Sequence, residues 1–257
     1  MGDSEQVRFC HSRVSGNPGI STTCWIPAFA GMTYSEVPML LRAVSLCVAL
    51  CLAASLPGYA QTHDHHEHAF DNAERWARSF DDPARDAWQK PDEVIRALAL
   101  PSDASVVDIG SGTGYFAARL ARAVPRGRVL GVDLSRDMVR YLNERAKREG
   151  LANLASQAGA PDDPRLLGPV DLVILVDTYH HIGARERYFR RVRDALKPGG
   201  RLAIIDFRLD APMGPPPESR IAPERVKQEL ARAGFVIDAE YDFLPRQYFL
   251  VLRPGLK

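Results

Sequence analysis

A chain of 257 residues, 46% hydrophobic and 25% charged, has room for one large domain or two small ones and the composition of a globular protein. Its 33 basic and 32 acidic residues leave a net charge of +1, which excludes both the strongly basic footprint of a nucleic-acid binder and the charge excess of a wholly disordered chain. All four cysteines (Cys10, Cys24, Cys47 and Cys51) lie in the first 51 residues, so no disulfide framework, zinc–cysteine site or cysteine nucleophile can be built in the rest of the chain.

Residues 43–56 are an uncharged apolar run, 14 residues long. That is short of the ~20 needed for a helix to span a bilayer, so no stable membrane span is expected in the mature chain. The run has the form of a secretory signal: Arg42 precedes it, and Pro57, Gly58, Tyr59 and Ala60 offer a small-x-small cleavage site. Counted from Met39, such a leader covers residues 39–60. The stretches 10–19 and 25–33 resemble a translated intergenic repeat, so residues 1–38 are expected to be an extension without fold or function. The linker 61–70 holds His63, His65, His66 and His68. Neutral imidazoles at this density can bind zinc, copper or nickel, although a polar linker is the favoured reading of a short tract without preformed geometry. The working domain is expected over residues 71–257.

Helical and strand patterns then alternate. Residues 72–80 and 91–100 predict helices, and the apolar run 105–109 before glycines predicts a buried strand. Apolar spacing at Phe116, Leu120 and Val124 predicts a helix over 114–124, stopped by Pro125. Residues 128–133 predict a second strand. Ser135 has the character of an N-cap for a helix reaching Gly150. Strands follow at 153–157, 170–176 and 201–206, with a helix over 184–196 and a turn at 197–200. A proline-rich loop at 209–219, a helix over 223–233 and an antiparallel pair at 235–241 and 247–252 close the chain. The alternation predicts a doubly wound α/β sheet with helices on both faces and ligands outside the carboxyl ends of the strands.

The first strand runs into Asp108, Ile109, Gly110, Ser111, Gly112, Thr113 and Gly114. Three alternate glycines let the backbone turn sharply and approach a ligand. The spacing alone also fits a relaxed dinucleotide fingerprint. Asp108 discriminates: a carboxylate beneath the loop repels a pyrophosphate and attracts a ligand carrying an ammonium and a sulfonium. Asp133 ends the second strand, where a carboxylate accepts hydrogen bonds from both ribose hydroxyls. That device serves NAD and S-adenosylmethionine alike, and a helix-capping role for Asp133 is the structural alternative.

At Val107–Gly114, Gly131–Ser135, Asp171–Ile182 and Leu196–Leu202 the chain resembles class I S-adenosylmethionine-dependent methyltransferases. The resemblance implies a Rossmann-like sheet of seven strands, mostly parallel, with the last antiparallel. It also implies S-adenosylmethionine as cofactor, with Asp108, Gly110, Ser111, Gly112 and Gly114 at its methionine part, Asp133 at the ribose, and Leu134 and Met138 at the adenine. Asp162, after the third strand, is the candidate acid for the adenine amine.

The family places acceptor-side residues after the fourth strand, here Asp177, Thr178, Tyr179, His180 and His181. A histidine there can take a proton near neutral pH. The alternative is that one histidine turns inward to hydrogen-bond backbone while the other shapes the pocket. The chain lacks the Asn/Asp-Pro-Pro-aromatic motif of nucleic-acid amino-methyltransferases, and Glu186 and Asp194 interrupt the arginines at 185–193, as on a solvated helix face. A small-molecule acceptor and no nucleic acid are therefore expected. The stiff loop at 211–218 is expected to cover that acceptor. Localisation stays divided: the leader points to the periplasm, the supply of S-adenosylmethionine to the cytoplasm. That conflict keeps a second reading open, an exported binding protein with a vestigial nucleoside pocket and a metal-binding histidine tract.

Overall fold

The structure, a computed structural model, describes residues 72–255. The apolar leader, the histidine tract with His63, His65, His66 and His68, and all four cysteines lie outside the described residues. Among the described residues no helix is long and apolar enough to cross a membrane, and no cluster of His, Cys, Asp and Glu is placed to hold a metal.

Seven strands form one sheet: β1 (Ser105–Ile109), β2 (Arg128–Asp133), β3 (Leu154–Ala158), β4 (Val170–Val176), β5 (Leu196–Phe207), β6 (Phe235–Tyr241) and β7 (Gln247–Pro254). Their order is β3-β2-β1-β4-β5-β7-β6; β1 to β5 run parallel, and β7 lies antiparallel between β5 and β6. This is the expected Rossmann-like arrangement. Every residue of β1 is buried, as a strand covered on both faces requires. Alternation divides its side chains between two cores. Val106 joins the core beneath α3 (Pro91–Leu98), α4 (Tyr115–Ala123) and α5 (Arg136–Arg148). Val107 and Ile109 join the core beneath α6 (Arg185–Asp194) and α7 (Pro223–Arg232).

The local signals act as expected at several ends. Ser135 Oγ accepts from Met138 N at 3.3 Å and opens α5. The expected turn at 197–200 differs: Leu196 already pairs with Val170, the register then shifts, and Arg201 pairs with Leu172. The Lys197–Gly200 segment is thus an irregularity inside β5 rather than the connection before it. Ahead of the sheet, α1 (Ala73–Phe80) is followed by a 3₁₀ turn (Pro83–Arg85) and the short α2 (Asp86–Gln89). The sequence patterns did not reveal those last two elements, which are too short for apolar periodicity. They lay residues 83–89 across the carboxyl end of β4 and the amino end of the antiparallel β7, where Gln89 is fully buried.

The strand order reverses between β1 and β4, which flank each other while β2 lies on the far side of β1. The crevice of such a sheet forms there. The turns after β1 and β4 meet closely: Gly110 has φ +74°, and a Cβ on it would overlap the Thr178 side chain.

Candidate functional site

The turn after β1 builds the first half of the site. Asp108 lies in β1 with its side chain buried, 3% exposed. Its burial and the neighbouring Asp133 charge push its pKa up to about 8, against a hydrogen bond from the Ala117 backbone. Among the described residues it has no ion-pair partner. Ser111 Oγ and Thr113 Oγ1, also in the turn, are buried without hydrogen-bond partners among the described residues. A buried unpaired hydroxyl costs about 1–3 kcal/mol, so this loop carries polar groups that a ligand can satisfy.

Asp133 ends β2, and one oxygen accepts from Gly112 N at 2.9 Å while the other accepts from Ser135 N at 2.9 Å. It therefore clamps the glycine turn and the start of α5 together. Burial pushes its pKa up, and these backbone bonds oppose the shift. Capping and ligand binding are compatible here, because each carboxylate oxygen has more than one lone pair. Next to it Leu134 is 45% exposed, an apolar side chain standing free at a strand end. Met138, by contrast, is buried in the first turn of α5.

Asp162 follows β3 on the surface. Its carboxylate lies 3.7 Å from Arg191 and 3.8 Å from Arg187, and Arg191 also donates to its carbonyl. The arginine-rich α6 that the sequence shows is thus tied down by acids: Arg191 to Asp162 and Asp163, Arg190 to Glu186, Arg193 to Asp194.

α1 closes this half from above. Ala73 N donates to Asp137 Oδ2 at 2.6 Å, and Arg145 joins Asp81 at 2.7 Å to the Thr113 carbonyl at 3.1 Å. The Phe80 ring then lies against Gly112, 3.4 Å from where a Cβ would stand. Sequence reasoning missed Phe80, since 32 residues separate it from the glycine it covers.

The turn after β4 builds the second half. Asp177 sits at φ +55°, a strained position for a non-glycine residue. Gln89 donates to its carboxylate at 3.0 Å, Gln247 donates to the other oxygen, and Arg85 lies 3.7 Å away. Burial first, then the Asp206 charge, push its pKa up to about 6. A 3₁₀ turn (Tyr179–His181) follows. His180 turns inward and its ring is only 5% exposed. It does not bond to backbone: Nδ1 lies 3.0 and 2.9 Å from the two carboxylate oxygens of Asp206, near the end of β5. His181 stands on the surface with its ring 4.1 Å from that of His180. Asp206, 26 residues beyond His180, was not legible as a partner. The one available hint was an acid at the end of an apolar strand.

A buried network fixes this turn from behind. Tyr179 Oη donates to Glu229 Oε2 at 2.8 Å, and Arg225 and Arg185 approach the same carboxylate at 2.9 and 3.6 Å. The proline-rich loop beyond β5 is tied by Arg220, which donates to the carbonyls of Pro215, Leu209 and Ala211.

Residues 106–200 match the family of methyltransferase domains. A ubiquinone/menaquinone biosynthesis C-methyltransferase of Syntrophotalea carbinolica is 33% identical over 44% of this chain and 48% of its own length. The erythromycin 3''-O-methyltransferase of Saccharopolyspora erythraea is 30% identical over 52% and 45%. The chain thus spans about half the length of the curated relatives it matches. A crystal structure of a SAM-dependent methyltransferase from Aquifex aeolicus superposes with a TM-score of 0.65 at 24% identity, covering 70% of this chain and 97% of that one.

Proposed function

We propose that this chain, which belongs to the class I S-adenosylmethionine-dependent methyltransferases, transfers a methyl group to a small-molecule acceptor held after β4 and β5. The observation that carries the cofactor half is the buried Asp108 under a turn whose two hydroxyls are unpaired. An amino-acid end fits this set. Its ammonium satisfies Asp108, and its carboxylate accepts from Ser111 and Thr113. A pyrophosphate would instead bring negative charge toward Asp108. Asp133 offers its remaining lone pairs to the ribose, and the exposed Leu134 offers an apolar surface to the adenine. Met138 would support that surface from within the core.

When bound, S-adenosylmethionine supplies a sulfonium-activated methyl carbon, which leaves sulfur as the acceptor atom bonds to it. The chain's own part is alignment, exclusion of water and, on the acceptor side, a proton. Asp206 holds the proton on His180 Nδ1. This fixes the tautomer and leaves Nε2 as the base that takes the acceptor's proton. Asp177 and the buried Gln89 and Gln247 hold the turn that carries His180.

Calorimetry on the whole chain with S-adenosylmethionine, NAD and zinc tests this reading. It expects micromolar S-adenosylmethionine binding and none for NAD. Tight zinc binding without S-adenosylmethionine binding would instead favour an exported binding protein that uses its histidine tract.

A further inference from the structure

Tyr248 is the second residue of β7, directly opposite Asp206 in the antiparallel register with β5. Opposed residues share one face of a sheet, so both side chains stand on the side of α6 and α7, at the sheet end that carries the His180 turn. Tyr248 is 4% exposed, and its hydroxyl has no hydrogen-bond partner among the described residues.

The neighbouring groups explain why it is left over. Asp206 Oδ1 accepts from Phe207 N at 2.8 Å and faces His180 Nδ1 at 3.0 Å; Oδ2 accepts from His180 N at 3.2 Å and faces the same ring nitrogen at 2.9 Å. Tyr179 Oη is committed to Glu229, and Arg185 to the Tyr179 carbonyl and Glu229. Burial, then the charge of Asp206, hold the Tyr248 phenol neutral, so it keeps its proton as a donor. Beyond those polar groups it borders the core of Val173, Leu175, Ile204 and Leu250, where phenylalanine would fit without leaving a polar atom unpaired.

We infer that the Tyr248 hydroxyl is a binding group for the methyl acceptor: it donates a hydrogen bond to an oxygen of an acceptor whose reacting group is a hydroxyl presented to His180. The inference rests on the methyl-transfer reading above. A hydroxyl suits both groups, since it accepts from the phenol and gives its own proton to an imidazole.

The test uses the whole chain saturated with S-adenosylhomocysteine. Catechol, 4-hydroxybenzoate and glycolate are the hydroxyl probes in calorimetry, and benzylamine is the nitrogen counterpart. At least one hydroxyl probe is expected to bind, and Tyr248→Phe is expected to weaken it tenfold or more. S-adenosylmethionine affinity should stay within twofold, and the variant should melt no lower than the parent. Three results overturn the inference: a Tyr248→Phe variant that binds the probe as well as the parent; one that melts several degrees lower with affinity intact, as a hydroxyl serving a buried water would give; or a parent that binds none of the hydroxyl probes, whether or not it binds benzylamine. Loss of S-adenosylmethionine binding by the parent would strike the methyl-transfer reading instead.

Discussion

Replacing Asp108 by asparagine removes the unpaired carboxyl buried under the glycine turn while keeping its shape. Asp108 titrates near 3.8 when unfolded and near 8 when folded. The folded chain therefore holds this proton more tightly. The cost of folding grows as pH rises from about 4 to about 8 and is constant above that. At ~1.36 kcal/mol per pKa unit, the full penalty approaches ~6 kcal/mol at pH 8 and above, and ~4 kcal/mol at pH 7. An asparagine amide buried in the same place still costs about 1–3 kcal/mol. A net gain of roughly 3–5 kcal/mol is expected at pH 8, which for a domain of this size raises Tm by about 6–20 °C. The same substitution removes the charge that meets the ligand's ammonium, so S-adenosylmethionine affinity should fall about 100-fold or more. Thermal unfolding of both proteins from pH 5 to 9, with calorimetry at pH 8, checks both effects. A variant less stable than its parent at pH 8, a stability gap that does not widen between pH 5 and 8, or unchanged S-adenosylmethionine affinity would refute the reasoning.

Other consequences follow from the same geometry. In the parent, binding requires the Asp108 carboxylate and the ligand's ammonium, so the S-adenosylmethionine Kd should fall as pH rises from 6 to about 8, by up to about tenfold per pH unit, and rise again above that as the α-amino group loses its proton; a flat profile by calorimetry would contradict this. Gly110→Ala places a Cβ on the Thr178 side chain at φ +74°. It should cost about 2–4 kcal/mol in urea unfolding through strain and overpacking, and should abolish S-adenosylmethionine binding. Asp206→Asn should lower kcat by about 10²-fold or more by losing the His180 tautomer, with S-adenosylmethionine affinity unchanged; methyl transfer to a hydroxylated acceptor measures it. Arg220→Ala frees the carbonyls of Leu209, Ala211 and Pro215, and should speed proteolysis within 209–219 while leaving Tm within about 2 °C.

What was legible in the sequence was local. The seven strands, the glycine turn, Asp108 beneath it, Asp133 at the end of β2 and the Ser135 cap are each encoded within a few residues. Strand periodicity, glycine's tolerance of positive φ and side-chain capping are short-range effects. The His180 turn was also visible as a place, since the end of a parallel strand is where such sheets bind ligands.

What the turn does there was decided by strand order. Placing β5 between β4 and β7 sets Asp206 beside His180 and Tyr248 opposite Asp206. Wrapping residues 83–89 over the sheet end brings Gln89 to Asp177, 88 residues away. Helix packing drew Arg187 and Arg191 toward Asp162. None of these pairs leaves a spacing signature, because the distance along the chain is set by intervening helices whose lengths have no bearing on the chemistry. The buried, unpaired hydroxyls of Ser111, Thr113 and Tyr248 belong to the same class. A residue type shows that a hydroxyl is present, and only the packed structure shows that no described residue has claimed it.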